Sequence, residues 1–238
     1  MAKRNRVTLR GDIPEPEAAA LNAAFLSACE PLCISGDLKK HAGQTIFIPG
    51  GAGGVGHFGV QLAKAYGLRV IASASKPEGL ELLRKLGVDV VLDYSKQDVV
   101  AEVLAATGGK GADVVFDATN MESGMKQSAA VVAKGGEWVR LGTWKGSPPE
   151  QQAAVEGIIA ARGGSVVLGD WGRYAVNPDY IAKTGELMKG MAEGKRLYAE
   201  GLLRPHISAT IPLEPKSLQQ ALQESLKGAV GKVVVKVQ

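Results

Sequence analysis

One stretch of the chain, residues 45–64, places an apolar strand, a glycine-rich turn and an amphipathic helix in immediate succession. The turn contains the pattern Gly-x-Gly-x-x-Gly, in Gly51-Ala52-Gly53-Gly54-Val55-Gly56. After a strand, such a turn aims free amide groups of the next helix at a pyrophosphate. We assign Gly51 to the sharp turn, Gly53 to close approach of the phosphates and Gly56 to close helix packing. The stretch therefore predicts a dinucleotide-binding unit, with a glycine-rich surface loop as the alternative.

Strand and helix patterns alternate along most of the chain. Short apolar runs typical of buried strands occupy residues 45–48, 69–74, 89–93, 112–117, 137–142 and 165–169. Apolar residues at helical spacing lie between some of them, over 79–86 and 99–107, with Gly87 and Gly108 as stops. This order predicts an α/β fold with a doubly wound parallel (Rossmann) sheet, whose ligand crevice lies at the carboxyl ends of the strands.

The two ends of the chain have a different pattern. Helices are predicted over residues 14–28, 178–194 and 215–227, an extended segment over 204–208 and a strand over 231–237. Because a terminal strand needs a partner, we expect it to pair with residues 6–10 or with a second subunit. The predicted organisation is an N-terminal segment and linker helix (1–40), a dinucleotide-binding domain (41–170) and C-terminal helices with a strand (171–238).

Charge and hydropathy narrow the choice of partners. No apolar run is expected to be long enough to span a bilayer, and the basic N-terminus leads into no signal-like segment. The net charge is +4, with a pI near 9.0. Lysines and arginines are interspersed with acids, which favours a solvated surface with some attraction for anions over a nucleic-acid patch. We therefore predict a small-molecule substrate, no nucleic acid and no membrane.

The chain has two cysteines, Cys29 and Cys33. Their spacing fits neither a disulfide framework nor a four-ligand zinc site, so a reducing, cytoplasmic compartment is predicted. The three histidines do not complete a metal-ligand spacing with these cysteines. One of them, His57, follows the glycine turn directly and is expected near the phosphates rather than in acid–base chemistry. No metal site is predicted.

Several further segments accompany the glycine turn in the pattern of one family. They are residues 60–64, 85–89, 92–94, 109–117, 135–142, 203–207 and 230–234. Together they resemble the zinc-free, quinone-oxidoreductase-like branch of the medium-chain dehydrogenase/reductases, over about residues 14–238. The resemblance implies hydride transfer from a nicotinamide to a quinone or activated double bond, without a metal.

One departure from the family is large. The family normally carries an N-terminal GroES-like catalytic domain of about a hundred residues before the helix at 14–28, and only about a dozen residues precede it here. The resemblance therefore implies short N- and C-terminal remnants of that domain. Part of the wall of the active-site cleft would be missing, and the strand at 231–237 would have lost its usual neighbours. A partner chain, residues 6–10 or a local rearrangement must then cover that edge.

The end of the second predicted strand bears on cofactor choice. NAD-specific sites place an acidic residue there to bind the ribose hydroxyls. This chain has Ser75 and Lys76 instead, which suit a 2′-phosphate, so NADPH is favoured over NADH. Residues 75–78 also form a capping box for the next helix, and both roles can coexist. Tyr94 matches a family tyrosine near the adenosine phosphate, and a core tyrosine is the alternative.

The nicotinamide end is predicted from the resemblance. It places Asp117, Thr119, Asn120, Gly142 and Thr143 in loops that leave room for the ribose and ring. Asp117 fits an ordinary strand-end cap equally well.

The predicted cofactor-binding residues are Gly51, Gly53, Gly54, Val55, Gly56, Ser75, Lys76, Tyr94, Asp117, Thr119, Asn120, Gly142 and Thr143. No catalytic residue is assigned. The leading hypothesis is an NADPH-dependent quinone or enone reductase, and the alternative is a dinucleotide-binding module without turnover that acts as a sensor or partner subunit. A homodimer is expected, joined through the sheet edge at 165–169, since an apolar edge strand tends to be paired.

Overall fold

The computed structural model describes residues 13–119, 121–141, 149–169, 184–226 and 228–237. The strands in these ranges are β1 (Thr45–Ile48), β2 (Arg69–Ala74), β3 (Val90–Asp93), β4 (Ala112–Asp117), β5 (Val132–Leu141), β6 (Ser165–Gly169), β7 (Ile207–Pro212) and β8 (Lys232–Lys236). The α-helices are α1 (Glu15–Cys29), α2 (Gly56–Ala65), α3 (Pro77–Lys85), α4 (Val99–Ala106), α5 (Glu122–Val131), α6 (Pro149–Ala161), α7 (Thr184–Ala199) and α8 (Pro215–Leu226). Strands and helices alternate from β1 to β6.

Six strands form one sheet in the order β3-β2-β1-β4-β5-β6. Every neighbouring pair in this sheet is parallel. The chain builds outward from β1 in one direction and then returns to place β4 on its other side. The predicted doubly wound parallel sheet is therefore confirmed, and its switch point lies between β1 and β4, where such sheets form their ligand crevice.

Both faces of the sheet are covered, as the apolar strands predict. Successive side chains of a strand point to opposite faces. In β1, Ile46 and Ile48 pack in the core cluster that contains Phe58 of α2. Phe47 lies between them in sequence and packs in the other cluster, with Val103 of α4. All five side chains are fully buried, so β1 is the centre of both layers.

Two strand boundaries differ from those predicted. The Asp89 carboxylate accepts hydrogen bonds from the Val70 amide at 2.7 Å and the Lys64 ammonium at 2.9 Å, so β3 begins just after it. β5 begins earlier than predicted because Val132 pairs with Ala112 before a bulge resets the register. Side-chain capping and bulges of this kind depend on partners distant in sequence.

The helical stretch Glu15–Ser35 combines α1 with a π-helical segment, Glu30–Ser35. Its 21 residues are long and apolar enough, by length and composition alone, to cross a membrane. The prediction that no run of this kind exists is therefore wrong. In the fold, 61% of its most apolar window is buried inside the protein, where α1 packs against α2, α7, β7 and β8. A core helix meets the same length and hydropathy test.

The C-terminal strand finds its partner within the chain. β8 pairs in parallel with β7, and the two form a separate two-stranded sheet. The extended segment predicted near 204–208 continues into β7 and supplies a partner for one edge of β8, while the expected pairing with residues 6–10 or with a second subunit stays a prediction. Residues 6–10 lie outside the described residues. The helix predicted over 178–194 is described as α7, which begins at Thr184 and continues to Ala199.

Candidate functional site

A cleft of about 530 Å³ opens at the carboxyl ends of β1, β2, β3 and β4. Its size is typical of a small-molecule site. One wall comes from the ends of the strands: Pro49, Gly50, Ser73, Ala74, Ser75, Lys76, Tyr94, Ala118 and Thr119. The rest comes from the glycine turn, from Gly79 of α3, from Met121 and the start of α5, and from residues 228–230 before β8. The cleft therefore occupies the crevice that the strand order predicts.

The turn after β1 depends on Gly50, not on Gly51 as predicted. Gly50 has a φ of 63°, a conformation that side chains with a Cβ disfavour. A Cβ on Gly51 would instead lie 2.8 Å from the Cβ of Ala72, so Gly51 permits contact with β2. The Gly51 amide donates a hydrogen bond to the Ser73 carbonyl at 2.9 Å, and the Gly50 amide donates one to the Ser73 hydroxyl oxygen at 3.3 Å. The turn is thus anchored to the end of β2.

The other glycines of the turn have separate roles. A Cβ on Gly53 would meet only the Gly50 carbonyl oxygen, at 3.2 Å, and Gly53 lines the cleft. A Cβ on Gly56 would lie 2.5 Å from that same oxygen, so the assignment of Gly56 to close packing agrees with the geometry. Gly54 faces the C-terminal segment, since its Cβ would lie 3.3 Å from the Cδ of Lys232. Of these glycines, it is therefore Gly53 whose missing side chain lets a ligand in the cleft approach the turn closely.

The amino end of α2 lies at the glycine turn. The helix begins at Gly56 after Val55, whose side chain caps none of its amides. The His57 amide donates to the Gly53 carbonyl and the Phe58 amide to the Val55 carbonyl, each at 3.1 Å, so within the described residues it is the amides of Val55 and Gly56 that have no backbone partner. The first amides of an α-helix have no partner within the helix, and they carry its partial positive charge. The backbone at Val55 and Gly56 can thus hold an anion, although neither residue lines the cleft through its own surface.

Ser75, Lys76 and Tyr94 lie together along the cleft, at the ends of β2 and β3. The predicted capping box is not formed, because α3 begins at Pro77 with Lys76 at its cap position and no side-chain cap. The alternative of a core tyrosine is also wrong, since half of Tyr94 is exposed (50%). In the described part of the chain Lys76 makes no ion pair with a carboxylate. This end of the cleft is therefore cationic and carries hydroxyl groups.

Asp117 ends β4 and does not line the cleft. Its buried carboxylate accepts hydrogen bonds from the Thr119 amide at 3.0 Å, from the Thr119 hydroxyl at 2.7 Å and from the Ser128 hydroxyl at 3.2 Å. Burial raises the pKa of Asp117, while these hydrogen bonds oppose the rise. The geometry matches the strand-end cap, and Thr119 is the residue that reaches the cleft. Asn120, Gly142 and Thr143 lie outside the described residues.

His57 is fully buried beneath the turn instead of facing the cleft. Its Nε2 accepts a hydrogen bond from the backbone amide of His206 at 3.2 Å, so the proton of the neutral imidazole is on Nδ1. That Nδ1–H donates to the Gly53 carbonyl at 2.8 Å. Burial lowers the pKa of His57 to about 4; His206 and Lys232 act in the same direction, and the bond to Gly53 opposes them.

The depressed pKa of His57 predicts an acid-sensitive fold. As the pH falls below 6.5, the ordinary pKa of histidine, His57 becomes protonated in the unfolded chain, whereas in the native state it stays neutral until about pH 4. The contribution of neutral His57 to the free energy of unfolding is therefore fully present above pH 6.5 and is lost as the pH falls towards 4. Between pH 7.5 and pH 5 we expect a loss of about 2 kcal/mol in the free energy of unfolding. Urea titrations should show a smaller loss in His57→Gln, and equal losses in both proteins would contradict the assignment.

Some residues of the cleft have no counterpart in the predicted set. They are Ser73, Ser123, Gln127 and residues 228–230. The last group reaches the cleft because the Gly231 amide donates to the Ala52 carbonyl at 2.9 Å. Ser73 could have been predicted from the sequence, because it lies at the end of the same strand, two residues before Ser75. The C-terminal contact was not, since no local pattern pairs the end of the chain with the turn.

Residues 54–189 match the family model described as zinc-binding dehydrogenase. The chain belongs to this family. It is thereby a member of the medium-chain dehydrogenase/reductase superfamily, as the resemblance of its motifs predicts. Within the described ranges, no group of three His, Cys, Asp or Glu side chains could hold a metal ion.

Curated relatives include two reductases. The chain is 29% identical over 223 residues to trans-enoyl reductase pgmF of Aspergillus terreus, an alignment covering 93% of this chain and 59% of that protein. It is 31% identical over 194 residues to a quinone oxidoreductase of Pseudomonas aeruginosa, covering 81% and 58% respectively. The chain therefore spans about three fifths of the length of these relatives.

A solved structure of a quinone oxidoreductase from Pseudomonas syringae pv. Tomato DC3000 superimposes with a TM-score of 0.79 at 26% identity. The match covers 97% of this chain and 67% of that one. The similarity extends over nearly the whole chain, including the two-stranded sheet as well as the parallel one.

Proposed function

We propose that this chain forms the dinucleotide-binding part of an NADPH-dependent oxidoreductase that reduces a quinone or an activated carbon–carbon double bond. The observation that carries the proposal is the cleft at the switch point, bordered by the glycine turn and by the Ser75, Lys76 and Tyr94 cluster. Family membership supports redox chemistry with a nicotinamide dinucleotide. The substrate classes are those in the names of the relatives.

The residues of the cleft fit a dinucleotide. Gly53 leaves open the space that a Cβ would fill, and the uncapped start of α2 supplies amides for a diphosphate. When bound, a reduced nicotinamide supplies a hydride. The chain's own contribution is to bind and orient, with Thr119 held at the cleft by Asp117. Positioning of this kind accounts for a large part of catalysis when two reactants must meet.

The choice of NADPH over NADH follows from the charges at the adenosine end. No Asp or Glu is among the described residues that line the cleft, so a 2′-phosphate meets no carboxylate there. Lys76 supplies a positive charge, and Ser75 and Tyr94 supply hydroxyl donors. Hydrogen bonds from such groups to a phosphate are charge-assisted and stronger than neutral ones.

The substitution Lys76→Glu is expected to separate the two cofactors. The loss of NADPH binding should be on the order of 1.5–3 kcal/mol, the range for hydrogen bonds to charged groups. NADH binding should change much less, because NADH has no 2′-phosphate. Calorimetric titration of both cofactors measures the difference. Lys110→Glu is the matched control, because Lys110 is exposed just before β4, at the amino ends of the parallel strands and away from the cleft. An equal loss for both cofactors in Lys76→Glu would contradict the phosphate assignment.

Turnover distinguishes the proposal from a binding module without catalysis. The described lining contains no acid–base group besides Lys76 and Tyr94, which lie at the adenosine end, and this observation favours the non-catalytic alternative. Steady-state oxidation of NADPH should be measured with a quinone and with an α,β-unsaturated carbonyl compound. Turnover with either supports the reductase. Saturable binding of NADPH without turnover supports the sensor or partner subunit.

We also propose that two chains associate through β6. Within the described residues β6 pairs only with β5 and ends the parallel sheet, and Leu168 on it is partly exposed (37%). Sheet edges of this kind tend to be paired, and a symmetric contact uses the same strand twice. A dimer was also expected because the C-terminal strand would lack a partner, and the pairing of β8 with β7 removes that argument. Light scattering at micromolar concentration should give the mass of a dimer, and a monomer mass would contradict this assembly.

A further inference from the structure

The glycine turn is joined to the C-terminal two-stranded sheet by a chain of hydrogen bonds. The Gly231 amide donates to the Ala52 carbonyl at 2.9 Å, and the Lys232 amide donates to the His206 carbonyl at 2.8 Å. The His206 amide in turn donates to Nε2 of His57, whose Nδ1–H donates to the Gly53 carbonyl. The turn is therefore linked to this sheet in two places, directly by the Ala52–Gly231 bond and through the side chain of His57.

The Gly53–Gly54 peptide has little else to fix its orientation. Glycines on both sides allow a wide range of backbone angles, so sterics alone leave this peptide free to rotate. The Gly53 carbonyl accepts two hydrogen bonds from His57, one from its backbone amide at 3.1 Å and one from Nδ1 at 2.8 Å. Because the carbonyl and N–H of a trans peptide point in opposite directions, holding this carbonyl also directs the Gly54 N–H away from the imidazole.

We propose that His57 is a positioning residue for dinucleotide binding: it fixes the Gly53–Gly54 peptide through Nδ1 and ties that peptide to β7 through Nε2. This role rests on the proposed function, since it requires the cleft to bind a dinucleotide. It differs from the role of an ordinary buried histidine, which contributes to stability without affecting the ligand in particular. His57 touches no ligand itself and acts through the turn.

The two ring nitrogens can be separated by substitution. The amide of asparagine reaches about as far as Nδ1, so His57→Asn keeps a donor for the Gly53 carbonyl and loses the bond to His206. The amide of glutamine reaches about as far as Nε2, so His57→Gln keeps an acceptor for His206 and loses the bond to the turn. His57→Leu removes both bonds and keeps an apolar side chain in the buried site.

Gln61 provides a matched control. Its side-chain amide donates to the Arg204 carbonyl at 3.0 Å and to the backbone carbonyl of His57 at 2.9 Å, and its oxygen accepts a hydrogen bond from the Arg204 amide at 2.7 Å. The bond to His57 is made to its main chain, so it leaves the imidazole untouched. Gln61 thus ties α2 to the same C-terminal segment without a hydrogen bond to the glycine turn. Gln61→Leu should lower the melting temperature and leave the affinity for NADPH within about twofold, whereas a positioning residue must alter affinity.

The experiment compares the affinity for NADPH with the melting temperature across these variants. We expect His57→Leu and His57→Gln to weaken NADPH binding about tenfold, the effect of one lost hydrogen bond at the upper end of its usual range. His57→Asn should recover most of that affinity, although it also loses one bond and melts earlier than the wild-type protein. If His57→Leu fails to fold, the asparagine and glutamine variants still give the comparison.

Two outcomes would overturn the inference in different ways. Equal affinities for NADPH in the wild-type, asparagine and glutamine proteins, or losses that simply follow melting temperature as in Gln61→Leu, would reduce His57 to a structural residue while the proposed function stands. Failure of the wild-type protein to bind either NADPH or NADH would overturn the proposed function and the positioning role with it.

Discussion

Replacement of Gly53 with valine is expected to abolish dinucleotide binding while the protein stays folded. A Cβ at this position would meet only one atom within 4 Å, the Gly50 carbonyl oxygen at 3.2 Å. A contact of that length is tight, but it requires the Gly50 carbonyl to give by only a few tenths of an ångström, far less than the contact at Gly56 would. The added methyl groups would extend into the cleft that Gly53 lines, in the space where a diphosphate must approach the turn. Calorimetric titration with NADPH, together with circular dichroism, measures both effects.

Gly157→Val is the control for this substitution. Gly157 lies on α6, and a Cβ there would have no neighbour within 4 Å among the described residues. The control should bind NADPH as the wild-type protein does. Unchanged NADPH affinity in Gly53→Val would show that the diphosphate does not lie over the turn.

Gly56→Ala is expected to have the opposite effect and to destabilise the fold itself. The new Cβ would lie 2.5 Å from the Gly50 carbonyl oxygen and 2.9 Å from the Gly51 Cα. Both are backbone atoms of the anchored turn, so neither can rotate away as a flexible side chain could. Overpacking typically lowers the free energy of unfolding by about 1–3 kcal/mol. Because both close contacts here are with backbone atoms, we expect a loss at or above the upper end of that range.

Urea unfolding of Gly56→Ala should therefore give a midpoint far below that of the wild-type protein, or no folded baseline. Gly157→Ala, in an exposed helix interior, is the matched control and should unfold at or slightly above the wild-type midpoint, because alanine favours a helix over glycine. A wild-type midpoint in Gly56→Ala would mean that the start of α2 lies farther from the turn than the structure has it.

The parallel sheet could be predicted because its strands are buried on both faces. A strand such as β2 then consists mostly of apolar residues, four of its six, and its bounds, Arg69–Ala74, are those predicted. The glycine turn was recognisable for a related reason, since its function requires glycine at fixed spacing. Ser75, Lys76 and Tyr94 could be located because they follow strands whose carboxyl ends share one edge of the sheet.

The turn also shows the limit of motif reasoning. The run contains Gly50 as well as Gly51, and the motif alone does not tell which of them adopts a positive φ. Tertiary packing decides it, because Gly51 is pressed against Ala72 of β2 and Gly50 is not. For the same reason, Asp117 matched two roles in the sequence, and only its bonds to Thr119 and Ser128 separate them.

Contacts between distant segments could not be predicted. The pairing of β7 with β8 and the bond from Gly231 to Ala52 depend on how the C-terminal unit packs on α1 and the turn. No local pattern encodes them. The apolar stretch Glu15–Ser35 is a similar case, since composition cannot tell a helix that packs in a protein core from one that crosses a membrane.

A crystal structure of the protein with NADPH tests the central claim most directly. The account predicts the diphosphate against Gly53 and the first amides of α2, with the 2′-phosphate within hydrogen-bonding distance of Ser75 or Lys76 and the adenosine beside Tyr94. NADPH bound elsewhere on the protein, or a cleft that stays free of NADPH at saturating concentration, would contradict it.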